Sequence, residues 1–213
     1  MFIPLLFLLV SASANDTTYY AVLRSALRLA DHEYSYVPYQ NLANTCDRIM
    51  AVCEGEWLPV YYRAYAYVHM AYMTKDEERK DVLLDESQAS ADAAQELHPE
   101  ESEIQLVHAL ICYGRMEINP MFRATIYFPK AKAALERARE LNPENPRIYY
   151  LEGETALYKP AFMGGGAQAA LPMLEQALRY FRDFSPPHDL YPHWGLESTQ
   201  ALYEKCKEII QEE

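Results

Sequence analysis

Three sets of residues have types and spacings that chemistry can use. Gly164-Gly165-Gly166 stands just before a helical stretch, where successive backbone N–H groups can cradle an anion. It follows a helix rather than a strand, and no Lys-Ser/Thr comes after it, so it matches neither the P-loop nor the dinucleotide fingerprint. It reads as a turn joining two helices. His188 and His193 lie around Asp189 in a Pro/Tyr-rich segment ending at Trp194-Gly195, and two imidazoles so placed can ligate a metal. The HExxH or Cys/His context of a zinc site is missing, and the segment reads better as a packed connector anchored by Trp194. Serines are plentiful, but none sits in a nucleophile elbow, and His32, His69, His98 and His108 fall in helices or at helix exits. The acidic stretches 75–78 and 96–103 read as solvated turns rather than paired catalytic carboxylates. No set specifies a catalytic residue, a metal or a cofactor, and the expectation is a protein that is not an enzyme and needs no cofactor.

The cysteines point the same way. Cys46, Cys53, Cys112 and Cys206 form no CxxC pair. Cys46 and Cys53 are expected on one helix about 10 Å apart, too far for a disulfide to each other. Any bridge is long-range, and buried free thiols are the simpler reading.

Composition narrows the partners. Half of the 213 residues are apolar, which excludes intrinsic disorder, and 31 acids against 19 Lys plus Arg give a net charge of −12. No basic run offers a footprint for phosphate backbones or anionic lipid, so no nucleic-acid partner is expected. Only 7 glycines argue against a turn-rich β fold, while 18 tyrosines have no compositional explanation. Residues 2–10 are an uncharged apolar run followed by Ala12-Ser13-Ala14, the small-x-small form of a signal-peptidase site, although a basic n-region is missing. Residues 1–14 are read as a cleaved signal peptide. Residues 15–213 are then a single domain in the periplasm or outside the cell, not integral to a membrane, with its oligomeric state open.

The elements that position these residues are helices throughout. Apolar spacing predicts helices over roughly 17–31, 37–54, 58–73, 77–97, 102–116, 129–141, 146–158, 167–183 and 195–211. Ala51, Ala94, Ala138 and Ala177 recur at intervals of 43, 44 and 39, and a small residue follows ten positions after Pro99 (Ala109) and Pro143 (Gly153), with Ala66 as the earlier equivalent. Small side chains at such places let antiparallel helices approach to about 8–10 Å.

The phrase from Ala131 through Leu135, Ala138, Leu141 and Pro143 to Asn145, followed by Tyr149 and Gly153, resembles the tetratricopeptide repeat (TPR) family of exported bacterial type. Ala170, Leu174 and Ala177 repeat the pattern; Ala91, Ala94, Leu97 and Pro99 do so more weakly. The likeness spans about 37–184, although the period is longer than the family's 34 or so, and HEAT-like or Sel1-like hairpins share such lengths. The extra residues fall at 117–128 and 159–166, where Met121, Phe122, Tyr127, Phe128, Phe162 and Met163 form either a rim or a seal over the core. The resemblance implies an all-α, right-handed α-hairpin solenoid of about four TPR-like repeats, with 185–213 as connector and capping helix. It implies a concave groove lined by Arg63, Tyr67, Met70, Leu106, Leu110, Tyr113, Arg147, Tyr150, Glu154, Leu157 and Tyr158. Such a surface suits an apolar or amphipathic partner segment, so the functional expectation is a protein-binding scaffold or adaptor. The alternative is a small-molecule or glycan-handling enzyme using the two inserted segments with His188 and His193.

Overall fold

The computed structural model describes residues 14–212. Among them the chain is all-α, with no strand: α1 (Ala14–His32), α2 (Tyr36–Met50), α3 (Trp57–Met73), α4 (Glu77–Leu97), α5 (Ser102–Ile118), α6 (Pro120–Leu141), α7 (Pro146–Tyr158), α8 (Ala167–Asp183) and α9 (Leu196–Glu212), plus a short 3-10 helix at Ala161–Met163. Residues 1–13 of the expected signal peptide lie outside the described residues, and Ala14 opens α1. No described helix is long and apolar enough to cross a membrane.

Local sequence explains the starts of α4, α6 and α7. Asp76 Oδ1 accepts the Arg79 N–H at 2.8 Å and Asn145 Oδ1 accepts the Arg147 N–H at 3.1 Å, each meeting a donor that the first helical turn leaves unpaired. Pro120 and Pro146 stand in the first turn, where a missing N–H costs nothing.

Consecutive helices pack on one another, most extensively α3 on α4, α5 on α6 and α7 on α8, while α3 also touches α5. The recurrent small residues sit at these crossings. Ala66, Ala94, Ala109, Ala138 and Ala177 are fully buried. At Gly153 a Cβ would stand 2.7 Å from Leu174 Cδ2, so α7 and α8 approach closely only because that side chain is absent. Ala51 departs from the pattern, lying exposed at the end of α2. α2 stops at Met50, so Cys53 lies in the turn beyond it rather than on the same helix as Cys46, and all four cysteines are free.

The two inserted segments fare differently, 117–128 departing from expectation and 159–166 meeting it. Residues 117–128 are not a loop: α5 runs to Ile118, Asn119 makes the turn and α6 begins at Pro120. Proline at the first helical position is pre-organised for helix, so α6 starts nine residues before the 129 that apolar spacing predicts. Pro129 then withdraws one backbone hydrogen bond inside that helix. Burial begins only at Ala131, and none of residues 120–130 is buried. The second segment, 159–166, is a tight turn. Gly164 and Gly166 take φ of +80° and +104°, and a Cβ on Gly165 would collide with the Lys159 carbonyl.

Candidate functional site

The tyrosine-rich helix α3 has Tyr61, Tyr62 and Tyr65 buried and its hydroxyls met from other elements, and one partner is the chain's own connector. Residues 184–195 return across the helices that the repeat likeness assigns to a groove. Leu190 is buried and its carbonyl accepts the Tyr62 hydroxyl at 2.8 Å. The Trp194 indole N–H donates to Tyr61 Oη at 2.9 Å, and Tyr191 Oη donates to the Glu101 carboxylate at 2.8 Å. The segment's outer edge is tied to α1 by Arg24–Asp189 at 2.5 Å and His193–Asp31 at 3.2 Å. Asp31 accepts from His193 and holds its pKa above the usual imidazole value, against a smaller opposing effect of burial.

Under the connector lies a buried ion pair. Arg147 Nη1 donates to Glu103 Oε1 at 3.0 Å with both side chains fully buried, and Asn145 Nδ2 donates to the same oxygen at 2.7 Å. Arg147 Nη2 donates to the Pro192 carbonyl at 2.7 Å, and the guanidinium lies 4.7 Å from the Phe184 ring centroid and 5.3 Å from that of Trp194. Burial pushes the Glu103 carboxyl up to about 7, while Arg147 and Asn145 oppose that rise. Glu103 and Arg147 are 44 residues apart, which is the repeat interval between Ala94 and Ala138. Opposite charges at one register of neighbouring hairpins were therefore a readable signal of contact.

His69, half-buried with its Nε2 atom enclosed, is a second feature that sequence spacing did not single out. Its ring stacks on Tyr39 with centroids 4.9 Å apart, meets Tyr65 edge-on at 4.3 Å, and its Nδ1 is 3.3 Å from Tyr34 Oη. Nε2 has no hydrogen-bond partner, and burial lowers the pKa to about 3, so the imidazole stays neutral.

These contacts redistribute the predicted groove residues. Arg147 is not available to a partner, because the connector and Glu103 enclose it. Met70, Leu106 and Leu110 are likewise core residues, at 2%, 0% and 6% exposure. Arg63 is committed elsewhere: it bridges Asp47 of α2 at 2.6 Å and Glu86 of α4 at 2.9 Å, with its guanidinium 4.7 Å over the half-buried Tyr67. The other predicted groove residues keep more of their surface. Tyr113, Tyr150, Glu154 and Leu157 are half-buried and Tyr158 is exposed. Tyr150 Oη lies 3.5 Å from Glu154, whose pKa is raised by burial, and Tyr113 is pushed up to about 12 by the same cause. His188 and His193 make contacts with Tyr191 and Asp31, and among the described residues neither contacts 117–128 or 159–166 in a hydrogen bond or ring pair.

A further set of exposed apolar side chains lies on α6 and around the α7–α8 turn. Met121, Phe122, Ile126 and Phe128 of α6 are exposed, as are Tyr158 at the end of α7 and Phe162 and Met163 of the following turn. Phe162 at 90% and Met121 at 82% are far outside what a core requires, and exposed apolar sets of this kind mark binding surfaces.

No family model matches the sequence, and no curated protein does either. Among solved structures the chain is similar to the HusA haemophore from Porphyromonas gingivalis. The two share 29% identity with a TM-score of 0.80, covering 92% of this chain and 96% of that one. The likeness extends over nearly the whole of both chains.

Proposed function

We propose that this protein is a non-catalytic binding protein of the haemophore kind: a TPR-like hairpin array, exported from the cytoplasm, that captures a haem-class tetrapyrrole. The similarity to the HusA haemophore over almost the full length of both chains carries this reading. Two features of the molecule support it. The sequence-based expectation of a peptide groove loses much of its surface to the connector, whereas the exposed Met, Phe and Tyr side chains match the wide apolar faces of a macrocycle. A flat conjugated ligand on aromatic and thioether side chains needs no converging acid–base pair.

The test is a titration of hemin and of metal-free protoporphyrin IX with the purified protein, followed at the Soret band. A saturable shift with a dissociation constant of about 1 μM or tighter is expected, corresponding to about −8 kcal/mol. Soret bands that stay unshifted for both compounds at about tenfold protein excess would remove the reading.

A further inference from the structure

The two exposed apolar sets belong to one end of the molecule. Antiparallel hairpins place the α5–α6 turn and the α7–α8 turn on the same side of the array, and these are the turns that carry Met121, Phe122 and Ile126 on one hand and Phe162 and Met163 on the other. Between them the packing is thin. α6 and α7 share the sparsest contact of the consecutive helices from α1 to α9, and α6 contributes nothing buried before Ala131. The first half of α6 is about 16 Å long by helix rise, which is comparable with the width of a tetrapyrrole.

Charge separates this end from the rest of a strongly acidic chain. Three cations on the α4–α5–α6 side are consumed: Arg115 pairs with Asp81 and Asp85, Arg123 with Asp81, and Lys80 with Glu117, while Lys130 of α6 stands 5.3 Å over the Tyr127 ring. Lys159 and Lys205 make no ion pair with a carboxylate among the described residues. Both flank Tyr158: Lys159 follows it in the chain, and Lys205 Nζ lies 3.2 Å from its hydroxyl and 4.9 Å over its ring. Two uncommitted ammonium groups beside an apolar shelf complement a ligand that is apolar over its faces and carries carboxylates at its edge.

Building on the haem-class reading above, we infer that the macrocycle is seated between the first half of α6 and the α7–α8 turn, against Phe122, Ile126, Phe162 and Met163, with Lys159 and Lys205 holding its carboxylates. The competing site is the groove of about 640 Å³ between α8 and α9, lined by Phe181, Leu196 and Tyr203 with Arg182 at its edge. There Arg182 is the one cation in the lining among the described residues, and the Glu204 carboxylate beside it is held by Lys207 at 3.0 Å.

The experiment uses three variants of the full chain and two probes, protoporphyrin IX and its dimethyl ester, whose carboxylates are blocked. The Phe122→Ala/Phe162→Ala double variant is expected to weaken both probes about tenfold or more, since side chains this exposed can be truncated without loss of fold. The Lys159→Glu/Lys205→Glu variant is expected to weaken the diacid about tenfold and the diester less than about twofold. Arg182→Glu leaves both unchanged. Wild-type binding that survives in the two first variants overturns the seat, and so does a loss confined to Arg182→Glu. If the wild-type protein binds neither probe, the haem-class reading itself falls and this seat with it.

Discussion

The connector face and the α6 end use the same residue types to opposite ends. Along the connector Tyr62 donates to the Leu190 carbonyl, Trp194 to Tyr61 and Tyr191 to Glu101, and a fully buried Glu103–Arg147 pair lies beneath. At the α6 end, Phe122, Phe162 and Met121 are exposed among the described residues. Covered aromatic groups with paired hydroxyls hold one arrangement of helices in place. Uncovered ones contribute little to folding and retain their apolar area for a ligand, at about 25 cal/mol per Å² removed from water.

That contrast breaks most sharply at the buried pair. Arg147→Ala leaves the Glu103 carboxylate without its partner and is expected to cost about 3–5 kcal/mol, measured by urea or thermal unfolding. Phe162→Ala should stay within about 0.5 kcal/mol of wild type. Equal losses for the two variants would erase the distinction between the regions. Replacing the pair together, Glu103→Leu with Arg147→Met, should recover most of the Arg147→Ala loss, because no unpaired charge then remains buried.

A smaller effect sharpens the comparison within one helix. Amide protons of residues 121–128 are expected to exchange about tenfold or more faster than those of residues 131–141, since buried anchoring starts at Ala131. Uniform protection along α6 would show that its first half is held by something other than burial. The smallest effect concerns the connector's outer tie. Because Asp31 raises the folded-state pKa of His193, the pair's stabilisation is full below the ordinary imidazole value near 6.5 and fades as pH rises through the folded value. Both side chains are nearly half exposed, which limits the effect to less than about 1 kcal/mol. The difference in unfolding free energy between wild type and His193→Gln should therefore shrink from about pH 6 to about pH 8, and a difference independent of pH would assign the contact no electrostatic role.

Much of the helical frame was legible because its causes are local. Apolar spacing located the nine α-helices of the described residues, and the recurring Ala94, Ala138 and Ala177 with Gly153 marked crossings that the structure packs tightly. The candidate groove was less legible. Position within a repeat cannot tell a residue that faces a partner from one that faces the same chain coming back, and so Arg147 was read as groove surface. The early start of α6 was missed for a related reason: Met121, Phe122 and Ile126 have helical propensity but no core, and a pattern search follows the core.

By itself the sequence determined an all-helical chain, its punctuation and the close crossings, since capping, proline placement and side-chain size act within a few residues. Only the tertiary structure decided which aromatic residues are spent inside and which stay outside. That choice depends on where residues 184–195 land, and their landing is fixed by contacts as distant in sequence as Tyr62 with Leu190 and Arg24 with Asp189, which no local pattern encodes.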